Sequence, residues 1–284
     1  MTLNFQITAI GKLRARLKHR KKLLGNSNDT IAIEDFICGE IVESDEFLDQ
    51  DYVGLVKRLR VDISELTRHI SASLCDDENV LSSAVTPFLM RKFIELSLIS
   101  LLSRIDPVRV IAARKNQLDG SYVEGKQNAS SVSWVGDIFP RAKMVPNPWG
   151  SDALNKGIER SLFGSHVAET AIRPSLQWLV DRDNASSEWL RELSAQDDPL
   201  AWLNNRLSQL YSLLSKGVHA EYLLDEQAKF DATSIRLHVG DGFKLVLLLA
   251  AATHRSPLFL RSLPIATVLK GIRQHERQVL QMTR

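Results

Sequence analysis

Apolar residues recur along most of this chain at helical spacing, which predicts an all-α protein, a multi-helix bundle of about nine helices. Three observations carry the prediction. Between Asp45 and Ser73 the residues Phe47, Tyr52, Val56, Leu59, Ile63, Leu66 and Ile70 return every three to five positions, the repeat of one helix face. The run FIELSLISLL, residues 93–102, is apolar nearly all round, as suits a helix buried on most sides. Twice an aspartate stands before a proline, at Asp106-Pro107 and Asp198-Pro199, and this pair suits an N-cap followed by the first helical residue.

The elements follow in order. Residues 12–22, KLRARLKHRKK, hold seven Lys or Arg and no acid, and Gly25-Asn-Ser-Asn-Asp then breaks the pattern. An acidic stretch follows, with Glu40, Glu43, Asp45, Glu46, Asp49 and Asp51. The basic segment suits a solvated helix face, with a phosphate-binding arm as the alternative. A first long helix is predicted over 45–73 and a second over 80–104, with Pro87 as a kink or a late start. A short helix follows Asp106 through about Gln117.

Residues 118–150 are different in kind. They contain Gly120, Gly125, Gly136, Pro140, Pro146, Pro148 and Gly150, and they predict an irregular connecting loop. Trp134, Phe139 and Trp149 would pin that loop to the body or form a binding lip. The organisation expected is an N-terminal helical region at 1–117, the loop at 118–150 and a helical bundle at 151–284. Within the bundle, helices are predicted over 152–162, 166–182, 186–194, 198–219, 231–253 and 265–282. The fifth is ambiguous, because SIRLHV alternates like a strand while FKLVLLLAAA suits a buried helix. Gly240 and Gly242 are its expected weak point. No internal repeat of fixed period is present.

Composition narrows the function classes. The chain has 284 residues, 44% hydrophobic and 25% charged, ample for one large core or two modest ones. Its net charge of +2 lacks the basic excess of a dedicated DNA binder. Cys38 and Cys75 lie in no CxxC or Cys/His cluster, so buried, reduced thiols are expected in place of a zinc site. Met1 to Ile10 is too short and polar for a secretory core, and Leu245–Ala252 falls well short of the roughly 20 residues of a membrane span. A cytoplasmic protein without membrane association is the expectation. No phosphate-binding GxxxxGK[ST] loop, no GxGxxG fingerprint, no HExxH and no GxSxG elbow occurs, so no cofactor and no metal are expected. The acidic clusters Asp76-Asp77-Glu78 and Asp197-Asp198 suit a loop and a cap. His254-Arg255 and His275 suit a solvated face, with phosphate contact as the alternative.

The most informative segment is Asp198 to Tyr222. Leu203, Leu207, Leu210, Leu214 and Val218 form an apolar stripe, and Asn204, Ser208, Tyr211, Ser215 and His219 form a polar one beside it. Gly217 inside this helix costs about 1 kcal/mol relative to alanine, which suggests close approach by another backbone. Tyr211, Ser215, Lys216 and His219 are the candidate binding residues, lining a cleft for phosphate or a partner. The alternative is a structural His219 bonded to Ser215 or to a backbone carbonyl.

The string Tyr211-x-x-Leu214-Ser215-x-x-Val218-His219-Ala220 resembles the conserved segment of HEPN-like helical proteins, over roughly 20 of the 284 residues. Arg91-Lys-Phe-Ile-Glu95 and Arg104-Ile-Asp-Pro107 fit that pattern loosely. The resemblance implies a HEPN-like bundle in the C-terminal half, membership of a prokaryotic toxin–antitoxin or phage-defence module, and a homodimer. Ribonuclease members of that superfamily place an Arg four to six residues before a His, the Arg orienting phosphate and the His moving protons. Here Arg206 lies 13 residues before His219, outside that spacing. Arg14 with His19 and Arg160 with His166 do fit, although such pairs arise by chance about once or twice in a chain of this composition. The function expected is a non-catalytic helical subunit binding RNA or a partner protein of the same operon. The alternatives are a metal-independent ribonuclease, using Arg160 with His166 or Arg206 with His219 across a dimer, and a structural scaffold docking through the 118–150 loop.

Overall fold

The fold is built around one long, mostly apolar helix whose C-terminal half is enclosed by its neighbours. The computed structural model describes residues 30–40, 50–74, 80–118, 162, 167–183, 187–216 and 232–284. Nine α-helices and one π-helical turn are present among them, and no strand. They are α1 (Ile33–Cys38), α2 (Gln50–Leu74), α3 (Val80–Ile105), α4 (Pro107–Leu118), α5 (Arg173–Asp183), α6 (Glu188–Ser194), α7 (Pro199–Lys216), α8 (Ala232–Arg255) and α9 (Ile265–Met282). The all-α multi-helix bundle is therefore observed. Ala32–Arg284 is one compact unit; Met1–Ile31 is a second, of which only Thr30 and Ile31 are described. No helix among the described residues is long and apolar enough to cross a membrane.

The surrounded helix is α3. Met90, Phe93, Ile94, Leu98, Leu101 and Leu102 are buried, and so are Ser97, Ser100, Ser103 and Arg104 on its other faces. Helices α1, α2, α4, α7 and α8 all pack against it. Pro87 lies inside it without ending it. The α2 helix presents Tyr52, Leu55, Val56, Leu59, Ile63, Ile70 and Leu74, largely the stripe that its sequence spacing predicts. Two predicted caps form: the Arg109 N–H donates to Asp106 Oδ1 at 3.1 Å and the Ala201 N–H to Asp198 Oδ1 at 3.0 Å.

The ambiguous segment resolves as one continuous helix, α8, with no break at Gly240 or Gly242. Its first part buries one face, with Ile235, Val239, Gly242 and Phe243, and from Leu245 to His254 it is buried all round. Gly242 is a point of contact: a Cβ there would run into the Met90 side chain. Phe93 and Phe243 meet one turn on, with ring centroids 4.5 Å apart. Farther along, Arg104 reaches Thr253. These contacts advance in the same direction on both helices, so α3 and α8 run parallel.

Two features depart from the predicted elements. The helix expected over 166–182 opens as a π-turn, Ala168–Ile172, before α5. Pro174 accounts for the wider turn, since it has no N–H for the Thr170 carbonyl and its ring would clash with that oxygen. The second is α1, six residues with no readable periodicity, whose Phe36, Ile37 and Cys38 are wholly buried. It ends at Gly39, with φ +81° and a backbone N–H donated to the Asp35 carbonyl. Arg60 of α2 donates to the Gly39 carbonyl from both terminal nitrogens at 3.0 Å. A Cβ on Gly39 would collide with the carbonyl oxygen of Arg261. The expected helix at 152–162, apart from the buried Leu162, and most of the 118–150 loop lie outside the described residues.

Alanine at position 39 faces both a left-handed backbone and a collision with main chain, so Gly39→Ala is expected to destabilise by more than about 2 kcal/mol. At Gly240 the nearest atom to an added Cβ is Thr283 Cγ2 at 3.6 Å, an ordinary contact. Gly240→Ala is therefore expected to stabilise by about 0.5–1 kcal/mol. Urea unfolding of the two variants beside the parent checks both signs.

Candidate functional site

The polar stripe of α7 meets α3 at a three-residue junction. Tyr211 is only 4% exposed. Its hydroxyl donates to Glu95 Oε1 at 2.7 Å and accepts from Arg91 Nε at 2.9 Å. Arg91 Nε also reaches Glu95 Oε1 at 3.2 Å, and its guanidinium lies 4.7 Å from the Tyr211 ring centroid. Burial and then the Glu95 carboxylate hold the Tyr211 hydroxyl well above its ordinary pKa. It remains a protonated donor at neutral pH and fixes the position of α7.

The rest of the stripe is divided. Ser215 Oγ donates back to the Tyr211 carbonyl at 2.7 Å, within its own helix. Asn204 Oδ1 is buried with no hydrogen-bond partner. Arg206, whose side chain is partly exposed, pairs with Asp241 at 2.8 Å. Asp241 also binds Lys244, which reaches Glu192, so the network spans α6, α7 and α8. The side chain of Lys216, together with His219, Arg160 and His166, lies outside the described residues. So do Arg14, His19, Cys75, Trp134, Phe139 and Trp149. No expected Arg/His pair is therefore brought together within the described structure.

A second centre, absent from the sequence reading, lies at the C-terminal end of α3. Arg104 is 0% exposed. Its Nε donates to the Leu260 carbonyl at 3.0 Å, and Nη1 donates to Thr253 Oγ1 at 2.8 Å and to the Ile37 carbonyl at 3.4 Å. Nη2 donates to His254 Nδ1 at 3.0 Å and to Ser262 Oγ at 3.3 Å. Every acceptor is neutral. Burial, reinforced by the neighbouring charge of Arg261, pushes the Arg104 pKa down to about 9, which leaves it charged at neutral pH.

His254 is set by the same contacts. Its Nε2 faces the Phe36 carbonyl at 2.6 Å, which makes that nitrogen the proton-bearing one. Nδ1 is left to accept from the Leu263 N–H at 3.1 Å as well as from Arg104. Burial first, and then the Arg104 charge, hold the imidazole pKa well below its ordinary value. His275 is buried beside the Phe36 ring, and burial lowers its pKa too. The solvated face expected for His254 and His275 is thus corrected: apolar residues of α8 and α9 carry both imidazoles into the core. Arg255 alone stays outside, 5.1 Å from the Trp178 ring centroid. Cys38 is a free, buried thiol that accepts from Ser100 Oγ at 3.1 Å, and burial raises its pKa. Among the described residues no three His, Cys, Asp or Glu side chains are grouped to hold a metal ion.

One signal pointed to the Arg104 centre: a cation closing an apolar run, SLISLLSR, and a histidine closing another, LLLAAATH. Each suits a helix C-terminus facing water equally well, because the dipole favours positive charge there. Only the packing of α1 and of the 256–264 loop against them separates the two cases.

Arg104→Lys keeps a charge but loses the five-donor fork, and it is expected to cost at least about 2 kcal/mol in chemical unfolding. The depressed histidines set a pH dependence. Below about pH 6.5 the unfolded chain takes up protons that the folded chain refuses. Stability is therefore full above that pH and lost as the pH falls through it. Unfolding free energy followed from pH 7.5 to pH 5 should decline, and with a shallower slope in His254→Asn. Comparison with protein-family models, with curated proteins and with solved structures gives no match for this chain.

Proposed function

We propose that this chain is a non-catalytic helical subunit of a prokaryotic defence or stress module, working in the cytoplasm and binding a partner protein beside the α3–α7 junction. The observation that carries the reading is the state of that junction. Arg91, Glu95 and Tyr211 satisfy one another, so the polar groups hold α7 in place and are not free to react. On α3, Val85 and Phe88 precede Arg91 by six and three residues and stand 43% and 53% exposed. Leu237 is 64% exposed at the same end of the parallel helix α8. Large apolar side chains beside a polar rim are the composition of a protein-binding patch.

A protein partner fits better than RNA. Arg91 and Lys92 both lie against Glu95, and Arg206 lies against Asp241. Cations compensated in this way offer a phosphodiester backbone little net attraction. The defence or stress setting rests on the likeness of Tyr211 to Ala220 to HEPN-like proteins.

Co-expression of the tagged chain with the products of adjacent genes, followed by size-exclusion chromatography, tests the proposal. A stoichiometric complex is expected, reduced at least about tenfold in affinity by Phe88→Asp, as for loss of a buried aromatic anchor, with the thermal midpoint of the variant little changed. The reading fails if no adjacent product forms a complex. It also fails if the purified chain alone cleaves RNA, the result that the ribonuclease alternative requires.

A further inference from the structure

Three segments, α1, the end of α8 and the 256–264 loop, close over the end of α3, and the His254 imidazole joins them. Its Nε2–H donates to the Phe36 carbonyl of α1 at 2.6 Å. Its Nδ1 accepts the Leu263 N–H of the loop at 3.1 Å and an Arg104 N–H at 3.0 Å. The loop and α1 also meet directly, the Glu40 N–H donating to the Arg261 carbonyl at 2.8 Å. The Phe36 ring touches a second imidazole: its centroid lies 5.6 Å from that of His254 and 5.0 Å from that of His275. Both imidazoles are buried.

This arrangement works only with a neutral His254. A neutral imidazole offers one donor and one acceptor, and a proton on the second nitrogen turns both into donors. An Nδ1–H would face the N–H groups of Leu263 and Arg104, and both bonds would be lost at once. The new charge would also join two others, since Arg104 of α3 and Arg261 of the loop both act on this ring. The other ionisable groups around it are engaged elsewhere. On α2, Arg60 binds Asp35 and the Gly39 carbonyl, and the Tyr52 hydroxyl accepts from Arg261 and donates to the Ser103 carbonyl. On α1, Cys38 is bonded to Ser100, and Glu34 acts on His275. On α8, Arg255 lies against Trp178. On α9, His275 is bonded to Gln278.

We propose that His254 is the pin of a pH-operated latch: on acidification α1 and the 256–264 loop leave the end of α3 together, while the rest of the bundle stays packed. The two segments suit a local opening. The α1 helix has six residues and the loop contains no helix or strand, whereas α3 keeps its packing on α2, α4 and α7. Opening uncovers Phe36, Ile37 and Cys38, and it also bares His275, which can then take up a second proton. The direction follows from proton linkage. A released imidazole titrates near pH 6.5, while the held one refuses the proton, so the closed form is favoured above that pH and the open form gains as the pH falls through it. For one imidazole the gain between pH 7.5 and pH 5 is about 30-fold. The latch is separate from the α3–α7 face and does not depend on a partner there.

The test is hydrogen exchange of the full chain, read by mass spectrometry at pH 7.5 and pH 5, with each rate divided by the intrinsic rate at that pH. Residues 33–40 and 256–263 are expected to share one degree of protection, at least about tenfold below that of residues 93–102 of α3. That shared protection should fall about 30-fold or more between the two pH values. His254→Asn should remove most of the fall. If the two segments are protected as strongly as residues 93–102 at pH 5, they open only with the whole protein, and there is no latch. Protection that does not change with pH, or that falls equally in His254→Asn, also overturns the proposal. The comparison with residues 93–102 and the pH dependence are read on the unaltered protein, so they decide the matter even where His254→Asn fails to fold.

Discussion

The guanidinium of Arg104 is the constraint on which the rest of the structure turns. A charge removed from water inside a helical core is tolerated only where each of its N–H groups finds an oxygen or a nitrogen. Here the partners come from the end of α1, the end of α8 and the loop leading to α9. The end of α1 is distant in the chain from the other two, which are consecutive, and the Arg104 side chain ties all three together. The same requirement ties the loop at 256–264 to the end of α3. Leu260 is bonded on both sides, its N–H to the Arg104 carbonyl and its own carbonyl to Arg104 Nε.

Much of the helical layout was legible before any coordinates. The stripe from Tyr52 to Ile70, the apolar run at 93–102, and the Asp106-Pro107 and Asp198-Pro199 caps are local signals that depend on neighbours three or four residues away. They marked helix positions well. What they did not mark follows from their locality. The α1 helix is too short to show a period, and it owes its existence to a pocket that other helices make. The π-turn before α5 needs both Pro174 and the packing of Ala168, Ala171 and Ile172 on the core. Gly242, expected to weaken α8, is where the Met90 side chain of α3 packs against the α8 backbone.

The candidate site divides in the same way. Spacing was enough to place Asn204, Ser208, Tyr211 and Ser215 on one flank of α7, but not to say what that flank faces. Tyr211 finds Glu95 and Arg91 from 116 and 120 residues away, and the pairing turns an apparent recognition group into a fastening. His254 is the converse. Read as part of a solvated face, it is a neutral imidazole sealed between Phe36 and Arg104. In both cases the chemistry of the side chain was plain, and its burial was decided by elements distant in sequence.

The contact of α1 with the far end of the chain bears on how the protein is made. Phe36 and His254 are 218 residues apart. During synthesis Phe36 and Ile37 emerge well before the His254 imidazole and the 256–264 loop that complete their surroundings. Until those later segments follow, the two apolar side chains lack their final surroundings, and a contact of such long sequence separation forms slowly. A nascent chain of this design is a natural client for a chaperone that shields the segment around Phe36 until the segment around His254 has followed it.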